Sequence, residues 1–448
     1  WGYYVGKLLE LLANKKTVAQ FHEWLGGPAL LYLKKNNVKI GTIFTTHATT
    51  LGRTLASNDV DFYSMLDKVD IQKEIYRLQI EAKHHMEVMS AKNSDVFTTV
   101  SEITGLESEH FLGRKPDVLL LNGLDMDKFP TFEESSIDHR KQRDKMREFL
   151  MYYFFPYYSF DFENTLFYFI AGRYEFKDKG IDVYIKSLGK LNEMLKKDRK
   201  DSQGTKTKKT EADKTIVAFI FIPANAQSVK PGLLESRTFF KDIKEGIDDE
   251  TNTIKQKLTY LIISKNKIKA ETLFSESKIL ELKKEVAKLK KKGEVPLSTH
   301  DLYDQNDTII SKIKEANLNN SANDPVKVVF YPIYLSGADG ILDMGYYEAM
   351  QGCHLGMFPS FYEPWGYTPL ETAGLGVSSV TTDLAGFGRY IDQLPRPKEH
   401  PGLFVLKRLG KNDNDVNSQL TNIMYNYSQL NKQGRIANKM EAKKLSAT

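Results

Sequence analysis

Apolar runs of strand length alternate with helical stretches along the whole chain. In the first half these runs cover residues 17–21, 39–45, 95–100 and 117–121. In the second half they cover residues 164–171, 215–222, 326–331, 354–359 and 377–381. Nearly continuous runs of Val, Ile, Leu and Phe, separated by helices, are typical of parallel strands buried on both faces. Two such series predict an α/β protein with two doubly wound, Rossmann-like domains.

Shifts in composition indicate where these domains begin and end. We expect an N-terminal Rossmann-like domain, a helical and aromatic connector, a second Rossmann-like domain, and a closing strand and helix. These four parts cover residues 1–135, 136–163, 164–400 and 401–448. The second domain carries a helical insertion at about 235–320, in which the apolar spacing over 275–292 predicts an amphipathic helix. The polar residues 195–214 predict a loop.

Composition narrows the classes of protein to which the chain can belong. Of its 448 residues, 41% are hydrophobic and 27% are charged, as in ordinary soluble enzymes. The net charge of +5 comes largely from lysine-rich runs, and no nucleic-acid motif appears, so we expect no nucleic-acid partner. No apolar run reaches membrane-spanning length, so we expect no membrane partner. The single cysteine, Cys353, excludes an internal disulfide and favours a reducing, cytoplasmic location.

The most informative segment joins the apolar run at 354–359 to a predicted helix. Glu363 and Glu371 lie there with seven residues between them. Gly366 permits an unusual backbone conformation, and Thr368 with Glu371 three residues later predicts an N-cap and a capping box. A helix start attracts phosphate, so this segment suits a sugar nucleotide, with one acid at the sugar and the other at the ribose. Alternatively, Glu371 only caps the helix.

Polar residues follow the apolar runs. His22, His47, Asn122, Arg173 and Glu363 each come shortly after one of them. Ligands of open α/β sheets bind outside the carboxyl ends of the strands. Two domains with such edges facing each other would form a ligand-binding cleft. The alternative is that some of these residues only cap the helices that follow.

The charge of a diphosphate must be balanced by a metal ion or by protein cations. Short D-x-D sequences occur at 59–61 and 125–127, but so short a pattern often arises by chance, and no His, Cys or Asp cluster has metal-ligand spacing. Arg173 and Lys179 flank a loop after an apolar run, and a guanidinium can fork onto phosphate oxygens. We therefore expect no metal and no other cofactor. Alternatively, Arg173 pairs with a nearby acid such as Glu175.

Seven blocks of sequence carry a resemblance to a known family. They are residues 21–25 (FHEWL), 42–53 (TIFTTHATTLGR), 95–101 (DVFTTVS), 122–124 (NGL), 171–180 (AGRYEFKDKG), 352–356 (GCHLG) and 358–371 (FPSFYEPWGYTPLE). In these blocks the chain resembles the eukaryotic-type glycogen synthases, retaining glucosyltransferases of the GT-B fold in glycosyltransferase family 3. The blocks occur in the family's order and span nearly the whole chain. Family members have further residues at both ends, so we expect an incomplete chain.

The resemblance implies a catalytic set of residues. Arg173 and Lys179 would hold the pyrophosphate, with Arg53 contributing from the opposite domain. Glu363 would lie near the sugar hydroxyls and the reacting centre. The implied catalytic residues are Glu363, His47, Arg173 and Lys179.

A second set of residues is implied to bind the substrates. It consists of Glu371, Arg53, Tyr346, Trp365, Gly366, Tyr367, Thr368, His22 and Asn122. Within it, Glu371 would bind the ribose, and His22 would join His47 at the sugar. Tyr346 would stack on the base or, alternatively, pack in the core.

The resemblance also implies the reaction, which is transfer of glucose from UDP-glucose to the 4-hydroxyl at a non-reducing end of an α-1,4-glucan such as glycogen. The anomeric configuration would be retained, in a cleft between the two domains. The sequence offers no convincing nucleophile on the opposite face, so we favour same-face attack. Two alternatives stay open: another retaining GT-B transferase with a different donor or acceptor, and an inactive glucan-binding fragment. The blocks at 42–53 and 358–371 favour glycogen.

The resemblance extends to partners and control. It implies a homo-oligomer and, as a possible partner, a glycogenin-like primer protein. The helical insertion would serve subunit assembly or, alternatively, its residues 275–292 form only an amphipathic helix with a solvated face. Regulated family members carry an arginine-dense helix near the C-terminus that binds a sugar phosphate. The corresponding residues 430–444 contain one arginine, so activation by glucose 6-phosphate is in doubt.

Overall fold

The computed structural model describes residues 1–14, 16–203 and 214–448. Its strands are β1 (Val18–His22), β2 (Gly41–Thr46), β3 (Val96–Thr99), β4 (Val118–Leu119), β5 (Thr165–Ala171), β6 (Thr215–Phe221), β7 (Ala226–Val229), β8 (His300–Leu302), β9 (Val326–Tyr331), β10 (Leu355–Met357), β11 (Ser378–Thr382) and β12 (Leu403–Leu406). Its helices are α1 (Gly2–Leu12), α2 (Glu23–Lys35), α3 (Thr50–Ser57), α4 (Ile71–Arg77), α5 (Glu81–Asn93), α6 (Glu102–Phe111), α7 (Phe132–Phe154), α8 (Ile181–Gln203), α9 (Pro231–Asp248), α10 (Thr251–Ile263), α11 (Ala270–Leu273), α12 (Glu276–Leu289), α13 (Thr308–Glu315), α14 (Tyr346–Gly352), α15 (Tyr367–Gly374), α16 (Gly386–Gln393), α17 (Asp413–Gln429) and α18 (Lys432–Ser446).

The chain separates into two compact units. The first comprises Trp1–Ser135, Ile170–Ser187 and Leu355–Thr448, and the second comprises Ser136–Phe169 and Leu188–His354. The first unit therefore contains every predicted site residue except Tyr346.

The first four strands form a parallel sheet in the order β1-β2-β3-β4. Phe44 and Phe97 lie at its centre with ring centroids 6.0 Å apart, and they share a buried cluster with Leu30 and Leu33 of α2. The apolar runs predicted in the first half of the chain are these strands. Because the strands are parallel, their carboxyl ends meet at one edge of the sheet, where the polar residues follow.

The second sheet has the order β12-β11-β10-β5-β6-β9. The pairs β10–β11, β11–β12 and β6–β9 are parallel. Every residue of β5, β6 and β9 is buried, which explains why these runs show no alternation of polar and apolar residues. The predicted α/β class with parallel sheets is confirmed.

Two features differ from the prediction. β7 and β8 pair antiparallel, and neither was predicted because both are short and largely polar. The predicted loop at 195–214 is wrong over residues 195–203, because α8 continues to Gln203. Leu188, Leu191 and Leu195 are buried on that helix, whereas Lys186, Lys190 and Glu193 are exposed. The rest of the predicted loop, up to residue 213, lies outside the described residues.

The predicted helical insertion contains α9 to α12, and the amphipathic helix predicted over 275–292 is α12. α9 packs against α12, and Leu289 is the member of the predicted apolar stripe that is buried. Near the connector, the aromatic side chains of Phe149, Tyr153 and Phe154 are buried, as expected for a packed segment. None of the helices in the described ranges is both long and apolar enough to span a membrane.

Candidate active site

The turn that carries Glu363 follows β10 and is held by backbone contacts. The N–H of Phe361 donates to the carbonyl oxygen of Asp178 at 2.8 Å. Gly180 lies against the same turn with φ of +69°, and a Cβ there would lie 2.0 Å from the carbonyl oxygen of Pro359. Glycine is required at this position both for its conformation and for its size. The loop after β5 and the Glu363 turn therefore pack as one piece.

Lys179, in that loop, contacts Glu363 directly. Its Nζ lies 2.5 Å from Oε2 of the carboxylate, and the two side chains are 18% and 21% exposed. Partial burial lowers the effective dielectric and strengthens the attraction between the charges. The structure thus brings together two residues of the predicted catalytic set. The ammonium can bind an anionic leaving group, while the carboxylate beside it accepts a hydrogen bond from a sugar hydroxyl.

The helix after this turn begins earlier than predicted. Its N-cap is Gly366, with φ of 108°, and the helix runs from Tyr367 to Gly374 without a side-chain cap. The predicted N-cap at Thr368 and its capping box with Glu371 are therefore wrong. The left-handed conformation of Gly366 turns the chain into the helix two residues before Thr368, which places Glu371 inside the helix. The start of α15 still follows Glu363 closely.

His22 and His47 form a pair at the carboxyl edge of the first sheet. His22 Nδ1 lies 2.9 Å from His47 Nε2, and the rings stack at 5.2 Å. Burial lowers the pKa of His47, and the charges of His22 and Arg53 lower it further, so this imidazole is neutral at pH 7. A neutral imidazole exchanges hydrogen bonds with hydroxyl groups without carrying charge. Arg53, an exposed residue of α3, lies close enough to His47 for its charge to affect the pKa of the imidazole.

Glu23 belongs to this cluster, although the predicted site did not include it. Its Oε1 accepts the backbone N–H of His47 at 3.0 Å. Burial raises the pKa of Glu23, against the opposing effects of the His47 N–H and the Arg53 charge. Its φ of +58° is unusual for a residue with a side chain, and such strain is concentrated at functional sites. The sequence could have indicated Glu23 as a site residue, because it directly follows β1 at the carboxyl end of the strand.

Two buried carboxylates hold the start of α3, from which Arg53 extends. Glu87 accepts the backbone N–H of Thr50 at 2.9 Å and its hydroxyl at 2.7 Å, and Glu107 accepts the hydroxyl of Thr49 at 2.9 Å. Burial raises the pKa of Glu87 to about 8 and that of Glu107 to about 7. Both lie within helices distant in sequence from α3, so no local sequence pattern indicates this arrangement.

Arg173 is 70% exposed at its side chain and lies 3.0 Å from Glu175, the pairing that the sequence left open. The acids of the D-x-D sequences also have protein partners. Asp59 pairs with Lys177 at 3.1 Å, and Asp125 pairs with Lys128 at 3.2 Å. Within the part of the chain that the structure describes, no three His, Cys, Asp or Glu side chains are grouped to hold a metal ion.

Four further predicted residues have varied surroundings. Trp365 is buried in an apolar cluster, with its ring 5.9 Å from that of Phe387, whereas Tyr367 is exposed. Asn122 is half-buried beyond β4. Tyr346 begins α14 in the second compact unit, whereas the other predicted site residues belong to the first.

The comparison with protein families is decisive. A model of the family described as glycogen synthase matches residues 1–448. The chain belongs to the glycogen synthase family. The resemblance stated from the seven sequence blocks is thereby confirmed.

Relatives of known identity agree. The chain is 37% identical over 450 residues to a glycogen (starch) synthase of Neurospora crassa, covering 99% of this chain and 62% of that one. It is 38% identical to isoform 1 of Saccharomyces cerevisiae, covering 99% and 63%, and 36% identical to the liver enzyme of Homo sapiens, covering 97% and 60%. The chain thus spans less than two thirds of the length of these relatives.

Solved structures agree on the fold. An α,α-trehalose 6-phosphate synthase from Burkholderia multivorans matches with a TM-score of 0.50 at 9% identity, covering 100% of this chain and 71% of that one. A UDP-forming trehalose-phosphate synthase from Burkholderia xenovorans matches with a TM-score of 0.50 at 10% identity, covering 99% and 73%. At such identities the likeness concerns the fold alone, which is the predicted GT-B class.

Proposed function

We propose that this member of the glycogen synthase family transfers glucose from UDP-glucose to the 4-hydroxyl at a non-reducing end of an α-1,4-glucan, with retention of configuration. Family membership over residues 1–448 supports the reaction class. The observation that carries the proposal is the contact of Lys179 with Glu363 at 2.5 Å, beside the start of α15. Together these features bring a cation (Lys179), an acid (Glu363) and a helix N-terminus close to each other after β10.

The proposed chemistry follows from these groups. The bond between the anomeric carbon and the diphosphate oxygen breaks, and the acceptor hydroxyl forms its bond on the same face. The acceptor's proton passes to the leaving phosphate oxygen. Negative charge then develops on the diphosphate, where Lys179, Arg173 and the start of α15 would stabilise it. Glu363 would face the oxocarbenium-like sugar, and neutral His47 would bind a sugar hydroxyl.

In this proposal the diphosphate is balanced by protein cations and no divalent ion takes part. The Arg173 side chain is 70% exposed and pairs with Glu175 at 3.0 Å, and because exposed ion pairs are weak, Arg173 can exchange that partner for a phosphate. Arg53 would add a third positive charge from the edge of the first sheet. Glu371 would bind the ribose, and Tyr346 the base.

Partners and location are proposed on the family resemblance. A UDP-sugar donor and a glucan acceptor are the substrates. The proposed assembly is a homo-oligomer, with a glycogenin-like primer protein as partner, and the proposed location is the cytoplasm. The first alternative is a retaining transferase with another donor or acceptor, and the second is a protein that binds glucan without turnover.

One experiment separates these functions. UDP release is measured with a panel of sugar nucleotides and with glycogen as acceptor, in chelator-treated buffer and again after magnesium or manganese is added. We expect release from UDP-glucose that depends on glycogen and not on the metal. Glu363→Ala should abolish it, whereas Glu399→Ala, which removes an exposed carboxylate elsewhere, should not. Preference for another donor supports the first alternative, and glucan binding without release supports the second. Dependence on the added metal would overturn the proposed charge balance.

A further inference from the structure

Helix α6 holds the two residues that flank Glu363 in sequence. Its N-cap, Ser101, donates from Oγ to the carbonyl oxygen of Pro364 at 2.6 Å. Further along the same helix, Oε2 of Glu107 accepts a hydrogen bond from the hydroxyl of Tyr362 at 3.3 Å. These contacts join parts of the chain more than 250 residues apart, since the separations are 263 and 255. Glu363 therefore lies between two anchor points on one rigid helix.

The Glu107 anchor is fully buried, and its surroundings determine its geometry. The carboxylate accepts three hydroxyl groups, from Tyr63, from Thr49 at 2.9 Å and from Tyr362. The rings of Tyr63 and Tyr362 stack with centroids 6.3 Å apart, and Phe62 packs against both. Movement of Tyr362 away from this pocket would leave a buried carboxylate with fewer donors, which is unfavourable.

The first residue of α6 extends this fixation to a second element. Glu102 accepts from Arg389 at 2.5 Å and from Gln393 at 2.8 Å, and both donors lie on α16. At the start of α16, the N–H of Gly386 donates to the carbonyl oxygen of Glu363 at 3.1 Å. The backbone of the Glu363 turn is thus bound to α16 directly, and α16 is bound to α6.

We propose that Glu107 is a positioning residue, which holds Tyr362 and thereby keeps Glu363 in the geometry that glycosyl transfer needs. The inference rests on the proposed function for the role of Glu363. Glu107 itself is fully buried, so it would act through Tyr362. A displacement of about 1 Å at a reacting group reduces rates by about a hundredfold, so a loop fixed at both neighbours of Glu363 has a direct kinetic consequence. A carboxylate that served stability alone would have no such effect on turnover.

The test compares two tyrosines that bind the same carboxylate. Tyr362→Phe removes the hydroxyl on the Glu363 turn, and Tyr63→Phe removes a hydroxyl that is outside the turn. Amide hydrogen exchange of residues 358–366 reports the order of the turn, and initial rates of UDP release give kcat and KM. For Tyr362→Phe we expect faster exchange in this segment and a loss of about tenfold in kcat, with KM for UDP-glucose unchanged. For Tyr63→Phe, which leaves the Thr49 and Tyr362 hydroxyls on Glu107, we expect a lower free energy of unfolding but parental exchange of the turn and parental kcat.

A conservative change at Glu107 provides the rescue. In Glu107→Gln the amide oxygen can occupy the position of Oε2 and accept from Tyr362, while the amide nitrogen faces Tyr63. We expect parental exchange in the turn and a kcat within about threefold of the parent, whereas Glu107→Ala loses both. If Glu107→Ala does not fold, the comparison of the two tyrosine variants decides the matter.

Two results would overturn the inference. One is parental exchange of residues 358–366 in Tyr362→Phe. The other is an equal loss of kcat in both tyrosine variants, which would indicate a general effect on the core. If the parent protein turns over no sugar nucleotide, the proposed function fails, and hydrogen exchange alone then decides whether Glu107 orders the turn.

Discussion

At Lys179 a single ammonium lies 2.5 Å from the carboxylate of Glu363, with about a fifth of each side chain exposed. Before a substrate binds, the positive charge of Lys179 and the negative charge of Glu363 balance each other. In the proposed reaction, a diphosphate that binds the ammonium would leave the carboxylate free to face the positive charge that develops on the sugar. One contact could therefore serve both charged ends of the breaking bond.

We predict that Lys179→Ala lowers kcat/KM by about 10²–10³-fold, the loss typical of removing one preorganised donor from a developing charge. The matched control is Lys177→Ala, two residues away, whose ammonium is half exposed and pairs with Asp59. Exposed pairs contribute little, so this control should keep nearly all activity. UDP release measured for both variants, with thermal unfolding to confirm folding, checks the prediction. Equal losses in the two variants would assign the effect to the loop and not to the Lys179 charge.

Single residues differ in how far the sequence can predict them. Glu363 and Lys179 stand in compact blocks, so their candidacy was visible without a structure. Glu107 lies within a helix, and its partners Tyr63 and Tyr362 are distant in sequence from it and from each other. A carboxylate buried by such long-range packing has the same local sequence as one on a solvated helix face. The fold alone distinguishes the two.

Among the elements, the loop after β5 and the Glu363 turn touch at a glycine. We predict that Gly180→Ala lowers the free energy of unfolding by about 2 kcal/mol, because alanine must adopt a positive φ and its Cβ meets the carbonyl oxygen of Pro359. Gly123→Ala is the control, since a Cβ there has no heavy atom within 4 Å. Urea unfolding of both variants measures the difference. If Gly180→Ala is as stable as Gly123→Ala, the close approach of the loop and the turn is absent in solution.

Strands that are buried on both faces were predictable, whereas a helix start that depends on the backbone conformation of one residue was not. β5 and β6 are buried along their whole length, so each appears in the sequence as an unbroken apolar run. The start of α15 depends on one backbone angle at Gly366, and the Thr-Pro sequence that follows imitates a capping box. Local capping rules rank Thr and Gly about equally at an N-cap, and they do not include a turn that forces positive φ.

At the scale of the whole molecule, hydrophobic pattern sufficed for the α/β class and the two parallel sheets. The strand order could not be obtained in this way, because the sequence of apolar runs does not state which run neighbours which. In the second sheet β10 pairs with β11 and β11 with β12, but β6 pairs with β9 across the insertion. Long-range packing sets that order, and long-range packing around the first sheet likewise buries Glu87 and Glu107.

Buried carboxyl groups make the stability of the whole molecule depend on pH. Burial raises the pKa of Glu87 from 4.5 to about 8, with added repulsion from Glu23 and Glu107 and opposition from the Thr50 hydrogen bonds. Between these two pH values the folded protein keeps a proton that the unfolded chain releases. The contribution of Glu87 to the free energy of unfolding is therefore fully present below about pH 4.5 and is lost as the pH rises to about 8.

We predict that Glu87→Gln, which carries no ionisable carboxyl, gains stability relative to the parent as the pH rises from 5 to 8, by on the order of 2 kcal/mol. Urea unfolding at several pH values measures this difference between the two proteins. Titratable groups that do not interact with Glu87 contribute equally to both proteins, so their contributions cancel in the difference. Glu294→Gln, at an exposed position, should keep a constant offset from the parent over the same range. A constant offset for Glu87→Gln as well would mean that the Glu87 carboxyl ionises in the folded protein much as it does in the unfolded chain, and that its burial at the start of α3 is not maintained.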